Sequence, residues 1–93
     1  MRQKIYDSMM NRDLPEYMID GVQNYVCNGI PGGSFLTSVF ENDLMGAYAN
    51  GDNLNTALLR DWTMLIYNDL PTGCHGSKEK VNDWIEARGL DGR

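Results

Sequence analysis

The stretch Gly29-Ile30-Pro31-Gly32-Gly33-Ser34 ends one predicted helix and begins the next within six residues. Gly29 can adopt the left-handed conformation that closes a helix, and Ser34 can cap the helix that follows. A second stretch, Thr72-Gly73-Cys74-His75-Gly76-Ser77, has the same arrangement. The first loop (residues 29–34) and the second loop (residues 72–77) therefore both predict a helix start with free backbone N–H groups.

Helical periodicity extends outward from these loops. Apolar residues recur at spacings of three and four in four segments, and Leu44 and Leu54 are among the residues expected to face inward. Asp13 is placed to cap the first segment ahead of Pro15. A weaker pattern over residues 2–11 allows a short N-terminal helix. The four segments are residues 13–28, 34–49, 53–69 and 78–88.

The expected fold class is all-α, a compact bundle or orthogonal array of four main helices with a short additional N-terminal helix. The connections between the helices are short, and no alternating segment is long enough for a sheet. We expect a single helical domain over residues 1–93, with residues 1–12 as an N-terminal segment and residues 13–88 as the core.

The net charge of −5 is distributed unevenly along the chain. Residues 1–12 carry a balance of +2, residues 13–76 hold eight acids and the single base Arg60, and residues 77–93 are neutral. An acidic body repels a phosphate backbone, so direct binding to a nucleic-acid groove is disfavoured. The acidic surface is interpreted first as a solubility feature and second as a recognition surface.

Other broad classes are also disfavoured. The chain lacks an apolar run long enough to span a membrane, and its first twenty residues lack the apolar centre of a signal peptide. Two cysteines, Cys27 and Cys74, do not make a disulfide framework, which favours a reducing cytoplasm. Two tryptophans, five tyrosines, two phenylalanines and six methionines must share a small interior, so a homo-oligomer is expected to cover some of them.

The residue types do not favour a catalytic site or a metal site. His75 is the only histidine, and its neighbours Cys74 and Ser77 are crowded into the same loop, where adjacent side chains point apart. Cys27, Cys74 and His75 supply three ligands without paired spacing, whereas a structural zinc site needs four. The sequence indicates no enzyme, no metal and no cofactor.

Asp43 lies at the edge of the inward stripe of the second segment. A carboxylate removed partly from water needs hydrogen-bond donors. We expect Asp43 to accept hydrogen bonds from loop N–H groups or from Arg60, and contact with a partner is the alternative. Glu41, two residues earlier, belongs to the same acidic surface.

The two loops suggest a ligand site. Two helix N-termini fronted by small residues could hold a phosphate-bearing molecule as halves of one pocket, within one chain or across a subunit boundary. Ordinary helix capping explains the same residues. The residues assigned to ligand or partner binding in the two loops and beside them are Gly32, Gly33, Ser34, Phe35, Arg60, His75, Gly76, Ser77 and Lys78. Phe35 is the aromatic residue best placed to meet a partner.

The sequence also resembles a group of small proteins encoded by tailed phages and prophages. The resemblance is carried by YMIDGV from Tyr17, by GIPGGSFLTSV from Gly29 with ENDL from Glu41, and by YNDLP from Tyr67 with the second loop. It covers residues 14–88. It implies a phage origin and action inside the host cell, and it implies no particular activity.

Together these features predict a non-enzymatic accessory binding protein in the host cytoplasm that engages or inhibits a host or phage protein. The alternative is a sponge for a nucleotide signal at the two loops. A minor virion or assembly protein is the third hypothesis.

Overall fold

The computed structural model describes residues 1–92 and contains, within that range, seven α-helices, three 3₁₀ turns and no strand. The all-α prediction is confirmed. The helices are α1 (Arg2–Asn11), α2 (Ile19–Asn28), α3 (Ser34–Phe40), α4 (Leu44–Asn50), α5 (Asn53–Ala57), α6 (Leu59–Asp69) and α7 (Lys78–Glu86), and the 3₁₀ turns are Glu16–Met18, Thr72–Cys74 and Leu90–Gly92.

Each of the four predicted segments is helical, but the segment over residues 34–49 is divided into α3 and α4. Asn42 adopts a left-handed conformation with φ of 64°. The N–H of Asp43 donates to the carbonyl of Ser38 at 2.8 Å, and the N–H of Asn42 donates to Val39 at 3.2 Å. This pair of bonds is a Schellman motif, which satisfies the last carbonyls of α3 and turns the chain.

The same motif ends α1, and it corrects the prediction for Asp13. Asp13 has φ of 55° and lies after the last turn of α1. Its N–H donates to Met10 at 3.1 Å, while the N–H of Leu14 donates to Met9 at 3.0 Å. The predicted N-cap role of Asp13 is therefore wrong, because this residue closes the preceding helix and Pro15 occupies the cap position of the following 3₁₀ turn.

The segment over residues 53–69 is divided at Leu58, which has φ of −101°. The Asp52 carboxylate caps α5 by accepting from the N–H of Asn55 at 2.8 Å. Asn55 is buried and accepts the indole N–H of Trp62 at 3.1 Å. Leu54 is 50% exposed, so the prediction that it faces inward is wrong.

One apolar core joins the helices, and it includes the N-terminal segment. Ile5 and Met9 of α1 are completely buried. Tyr25 of α2 stacks on Phe40 of α3 with ring centroids 4.4 Å apart. The core therefore begins earlier than the predicted boundary at residue 13.

The C-terminal ends of α2 and α7 meet through two glycines. Gly29 and Gly89 both have φ of 68°, and a Cβ on either one would lie within 2.8 Å of the other segment's backbone. The indole N–H of Trp84 donates to the carbonyls of Tyr25 and Val26 at 3.1 and 3.2 Å. The left-handed conformation that the sequence predicts for Gly29 is confirmed.

Within residues 1–92, none of the helices has the combination of length and apolar character that crossing a membrane requires.

Candidate functional site: a groove between α3 and α6

Two adjoining cavities of about 250 and about 70 Å³ form one continuous groove on the surface. They share Val39 and Asn42 from the end of α3 and Thr63 from α6. The larger cavity is also lined by Ile66, Tyr67, His75 and Gly76, and the smaller one by Ser38, Asp43, Leu44, Ala47 and Leu59. We call this feature the groove.

The second loop forms one end of the groove because it is fastened to α3. The N–H of Gly76 donates to the carbonyl of Phe40 at 2.8 Å. Gly76 has φ of 123°, a backbone conformation that residues with a Cβ rarely adopt. The side chain of Lys80 lies over Gly76, since a Cβ there would be 3.3 Å from the Lys80 Cδ. This end of the groove is therefore built from glycine backbone beside a lysine.

His75 is the titratable residue of this end. Its Nε2 atom is buried and has no hydrogen-bond partner among the described residues. Burial lowers the pKa of His75 below 6.5, and the charge of nearby Lys80 lowers it further. Both effects favour the neutral form of the imidazole.

The middle of the groove is apolar at its base and open at its rim. Ile66 is buried, and Val39 is half-buried. Thr63 is exposed, and its hydroxyl donates only to the carbonyl of Leu59, at 2.9 Å. Tyr67 is 76% exposed and lies one helical turn after Thr63. An apolar side chain of a ligand can enter here while polar groups at the rim fix its orientation.

The other end of the groove carries Asp43. Its carboxylate accepts from the N–H of Gly46 at 3.0 Å and caps α4. The donor is thus the first turn of its own helix rather than a glycine loop or Arg60, which is exposed on α6. Glu41 is half-buried. Burial raises the pKa of the Tyr25 phenol, and Cys74 and Glu41 nearby raise it further.

The structure assigns different roles to the two serines that were predicted as caps. The Ser77 hydroxyl accepts from the N–H of Lys80 at 3.1 Å, so that prediction is confirmed. Ser34 does not cap α3, because Gly33 holds the cap position and Ser34 is already in the first turn. The predicted capping role of Ser34 is wrong.

The two loops also lie apart. Ser34 begins α3, whereas Gly76 is bonded to Phe40 at the end of α3, and six residues of helix rise by about 9 Å. Gly32, Gly33 and Ser34 do not line the groove. Neither of the two cavities therefore joins the first loop to the second, and a pocket built from both loops stays a prediction.

Phe35 also requires correction. It is only 6% exposed and packs edge-on against Trp62, with ring centroids 5.7 Å apart. α3 begins at Ser34, the residue predicted to be its cap, and Phe35 in the first turn is one of the buried residues of this helix. Lys78 is exposed at the start of α7 and does not line the groove.

Sequence reasoning missed Val39, Thr63 and Ile66 as groove residues. The periodic pattern placed Val39 and Ile66 in the core, and each indeed has one side against it. Thr63 and Tyr67 are separated by four residues and share a face of α6. That spacing indicates that the two residues share one face of a helix, but nothing in the sequence shows that α3 lies opposite this face.

A second exposed surface adjoins the groove on α4. Ala47 is the only buried residue of this helix, while Leu44, Met45 and Tyr48 are 63%, 79% and 55% exposed. Ala49 is exposed beside them. We call these four residues, Leu44, Met45, Tyr48 and Ala49, the α4 face. Leu44 also lines the groove, so the two surfaces are continuous.

Comparison with protein-family models, with curated proteins and with solved structures found no match to this chain.

Proposed function

We propose that this chain is a non-enzymatic accessory binding protein that engages a protein partner through the groove. The carrying observation is an open groove, with an apolar base and a polar rim, beside the exposed ring of Tyr67. Exposed aromatic residues next to a concave apolar surface are typical of the energetic centre of protein interfaces. The resemblance to phage proteins supports a phage accessory role in the host cytoplasm.

The charges at the two ends of the groove indicate the chemistry of the partner segment. Asp43 lies at one end, and Lys80 lies beside the other end. A segment with apolar side chains in the middle, a basic residue facing Asp43 and an acceptor facing Lys80 is complementary to this arrangement. Such a segment fits a protein better than a nucleic acid, whose phosphates carry a single sign of charge.

The chemistry of the nearby groups supports binding rather than catalysis. The Cys74 thiol is completely buried, and its burial raises its pKa to about 12. A thiol in that state is a poor nucleophile, because the thiolate is the reactive form. His75 is thereby left without an activated partner in its own loop.

The nucleotide sponge has less support. That hypothesis depends on two glycine-serine loops acting together, and the length of α3 separates them within one chain. A virion or assembly role remains as an outcome of the experiment on the protein partner.

The experiment compares Thr63→Arg with Asn82→Arg in affinity purification from infected cells. Thr63 lies at the junction of the two cavities and is exposed, so an arginine there fills the groove without disturbing the core. Asn82 is exposed on α7 and outside the groove, so it controls for the added charge. We expect Thr63→Arg to lose a stoichiometric host or phage protein that wild type and Asn82→Arg recover.

Equal recovery by the two variants would refute the groove as the binding site. Recovery of capsid or tail proteins alone would favour the virion role. A complementary variant is Asp43→Asn, which removes the charge while keeping the cap of α4, since asparagine caps as well as aspartate. We expect it to weaken partner recovery and to reduce the salt dependence of binding.

A further inference from the structure

We infer that the α4 face is a self-association surface and that a second copy of this chain covers it. The inference goes beyond the proposed function and gives a surface to the homo-oligomer that the sequence predicts.

The large apolar side chains of α4 face outward, the reverse of an ordinary amphipathic surface helix. A seven-residue helix is too short to be stable alone in water. Here the helix turns one alanine, Ala47, into the protein and its three largest apolar side chains outward. The Asp43 cap and packing on α3 hold the helix in place, but its apolar area is left uncovered. Contact with another protein surface would cover that area.

The α4 face and the residues between its members carry no charged side chain. Residues 44–51 contain no acidic or basic side chain, although 23% of the chain is charged. A chain with net charge −5 repels its own copies, so an uncharged surface is where two copies can approach at the lowest electrostatic cost. A different partner selected by charge would find nothing on this face to recognise. The face therefore fits a second copy better than it fits a charged partner.

Symmetry defines how the copies meet. Most homodimers have a twofold axis, so the same patch contacts itself. An antiparallel α4 pair places Met45 of each copy against Ala49 of the other, where the small alanine leaves room for the methionine. The same arrangement brings Asp43 of each copy towards Asp52 of the other, since these acids flank the helix. The contact is thus apolar in the centre and repulsive at its ends.

The available area sets the strength of the contact. The exposed fractions of Leu44, Met45 and Tyr48 correspond to about 400 Å² per copy, or about 800 Å² for the pair. Stable interfaces bury about 1,200 Å² or more. The dimer is therefore weak and reversible, with a dissociation constant of about 10 μM to 1 mM. Higher salt strengthens it, because screening reduces the repulsion between the acids.

The test is sedimentation equilibrium of the full chain over a protein concentration range that spans that interval, at about 0.05 M and about 0.5 M NaCl. Wild type should pass from monomer to dimer, with tighter association at the higher salt. Met45→Glu should weaken association at least tenfold, because it places two carboxylates at the centre of the contact. Ile30→Glu adds the same charge at a 52% exposed apolar residue that follows α2 and is not part of the α4 face, and this variant should dimerise like wild type.

The results distinguish the α4 face as the interface from the existence of a homo-oligomer. A dimer that Met45→Glu leaves intact, or that Ile30→Glu weakens equally, would overturn the α4 face while the homo-oligomer stands. A monomer throughout the range would overturn both. Thr63→Arg tests the partner in the groove by a separate measurement, at a residue outside the α4 face. Circular dichroism of both glutamate variants verifies that they are folded.

Discussion

At the scale of single residues, three residues other than glycine have positive φ within the described range 1–92, and each follows the last turn of a helix. They are Asp13, Asn42 and Arg88, at 55°, 64° and 61°. A left-handed residue with a Cβ costs about 1–2 kcal/mol, which the Schellman hydrogen bonds and the packing around them must offset. The chain accepts this cost because each turn sets the direction of the following segment, and the turn at Asn42 forms part of the groove.

Gly29 provides the sharpest stability prediction at this scale. Gly29→Ala should destabilise the fold by at least about 2 kcal/mol, because the new Cβ is strained at φ of 68° and clashes with the backbone of residues 88 and 89. Urea denaturation measures this difference. Gly33→Ala is the matched control, since nothing lies within 4 Å of its Cβ and its φ is −68°. A loss in Gly29→Ala no larger than in the control would contradict the close approach of α2 and α7.

His75 predicts a pH dependence with a definite sign. The folded protein holds the pKa of His75 below 6.5, so the unfolded chain binds the proton first as the pH falls. The contribution of neutral His75 to the free energy of unfolding is fully present above pH 6.5. It is lost as the pH decreases towards the pKa of His75 in the folded protein. We expect the free energy of unfolding of wild type to fall between pH 7.5 and 5 relative to His75→Gln. Parallel profiles for the two proteins would show that burial does not act on this imidazole.

At the scale of elements, the two serines at helix starts make a matched pair. Ser77→Ala should cost about 1 kcal/mol, because it removes the acceptor for the Lys80 N–H at the start of α7. Ser34→Ala should change stability by less than about 0.5 kcal/mol, because Ser34 makes no capping bond. Thermal unfolding of both variants measures the difference. Equal losses would mean that Ser34 caps α3 in solution.

The sequence predicts helix ends well where the signal is a residue with few alternatives. Gly29 and Pro71 mark ends that the structure also shows. The division at Asn42 was missed because the apolar spacing continues through it from Phe40 to Leu44, as though one helix ran on. Asparagine can adopt the left-handed conformation, but it does so only when tertiary packing favours the turn.

The candidate site was predictable only in part for the same reason. Asp43, His75 and Gly76 were selected from local chemistry, and all three line the groove. Thr63 was not, because its importance comes from lying opposite α3, and pairing of distant elements leaves no local pattern. The two loops look alike in sequence, yet α3 separates them. Similar composition therefore did not indicate proximity.

At the scale of the whole molecule, the groove exists only where separate parts of the chain are assembled. α3 supplies one wall and α6 the other, and the second loop is held to α3 by the bond from Gly76 to Phe40. Arg12 and Asp69 form an ion pair at 3.1 Å that links the ends of α1 and α6. Binding at the groove therefore depends on the cooperativity of the entire core.

That dependence predicts a single unfolding transition, which the two tryptophans can report separately. Trp62 lies in α6 against Phe35, and Trp84 in α7 is bonded to the end of α2. In Trp62→Phe the remaining tryptophan, Trp84, reports on α7 and the end of α2. In Trp84→Phe the remaining tryptophan, Trp62, reports on α6. Within each variant, we expect fluorescence and far-ultraviolet circular dichroism to give the same urea midpoint, because one core spans both regions. The midpoints of the two variants can differ, since each substitution changes stability by its own amount.

A fluorescence transition that precedes the loss of helix in Trp62→Phe would show that α7 detaches first. The end of the groove formed by the second loop would then open before the rest of the protein, and partner binding would be lost at urea concentrations where α3 and α6 remain folded.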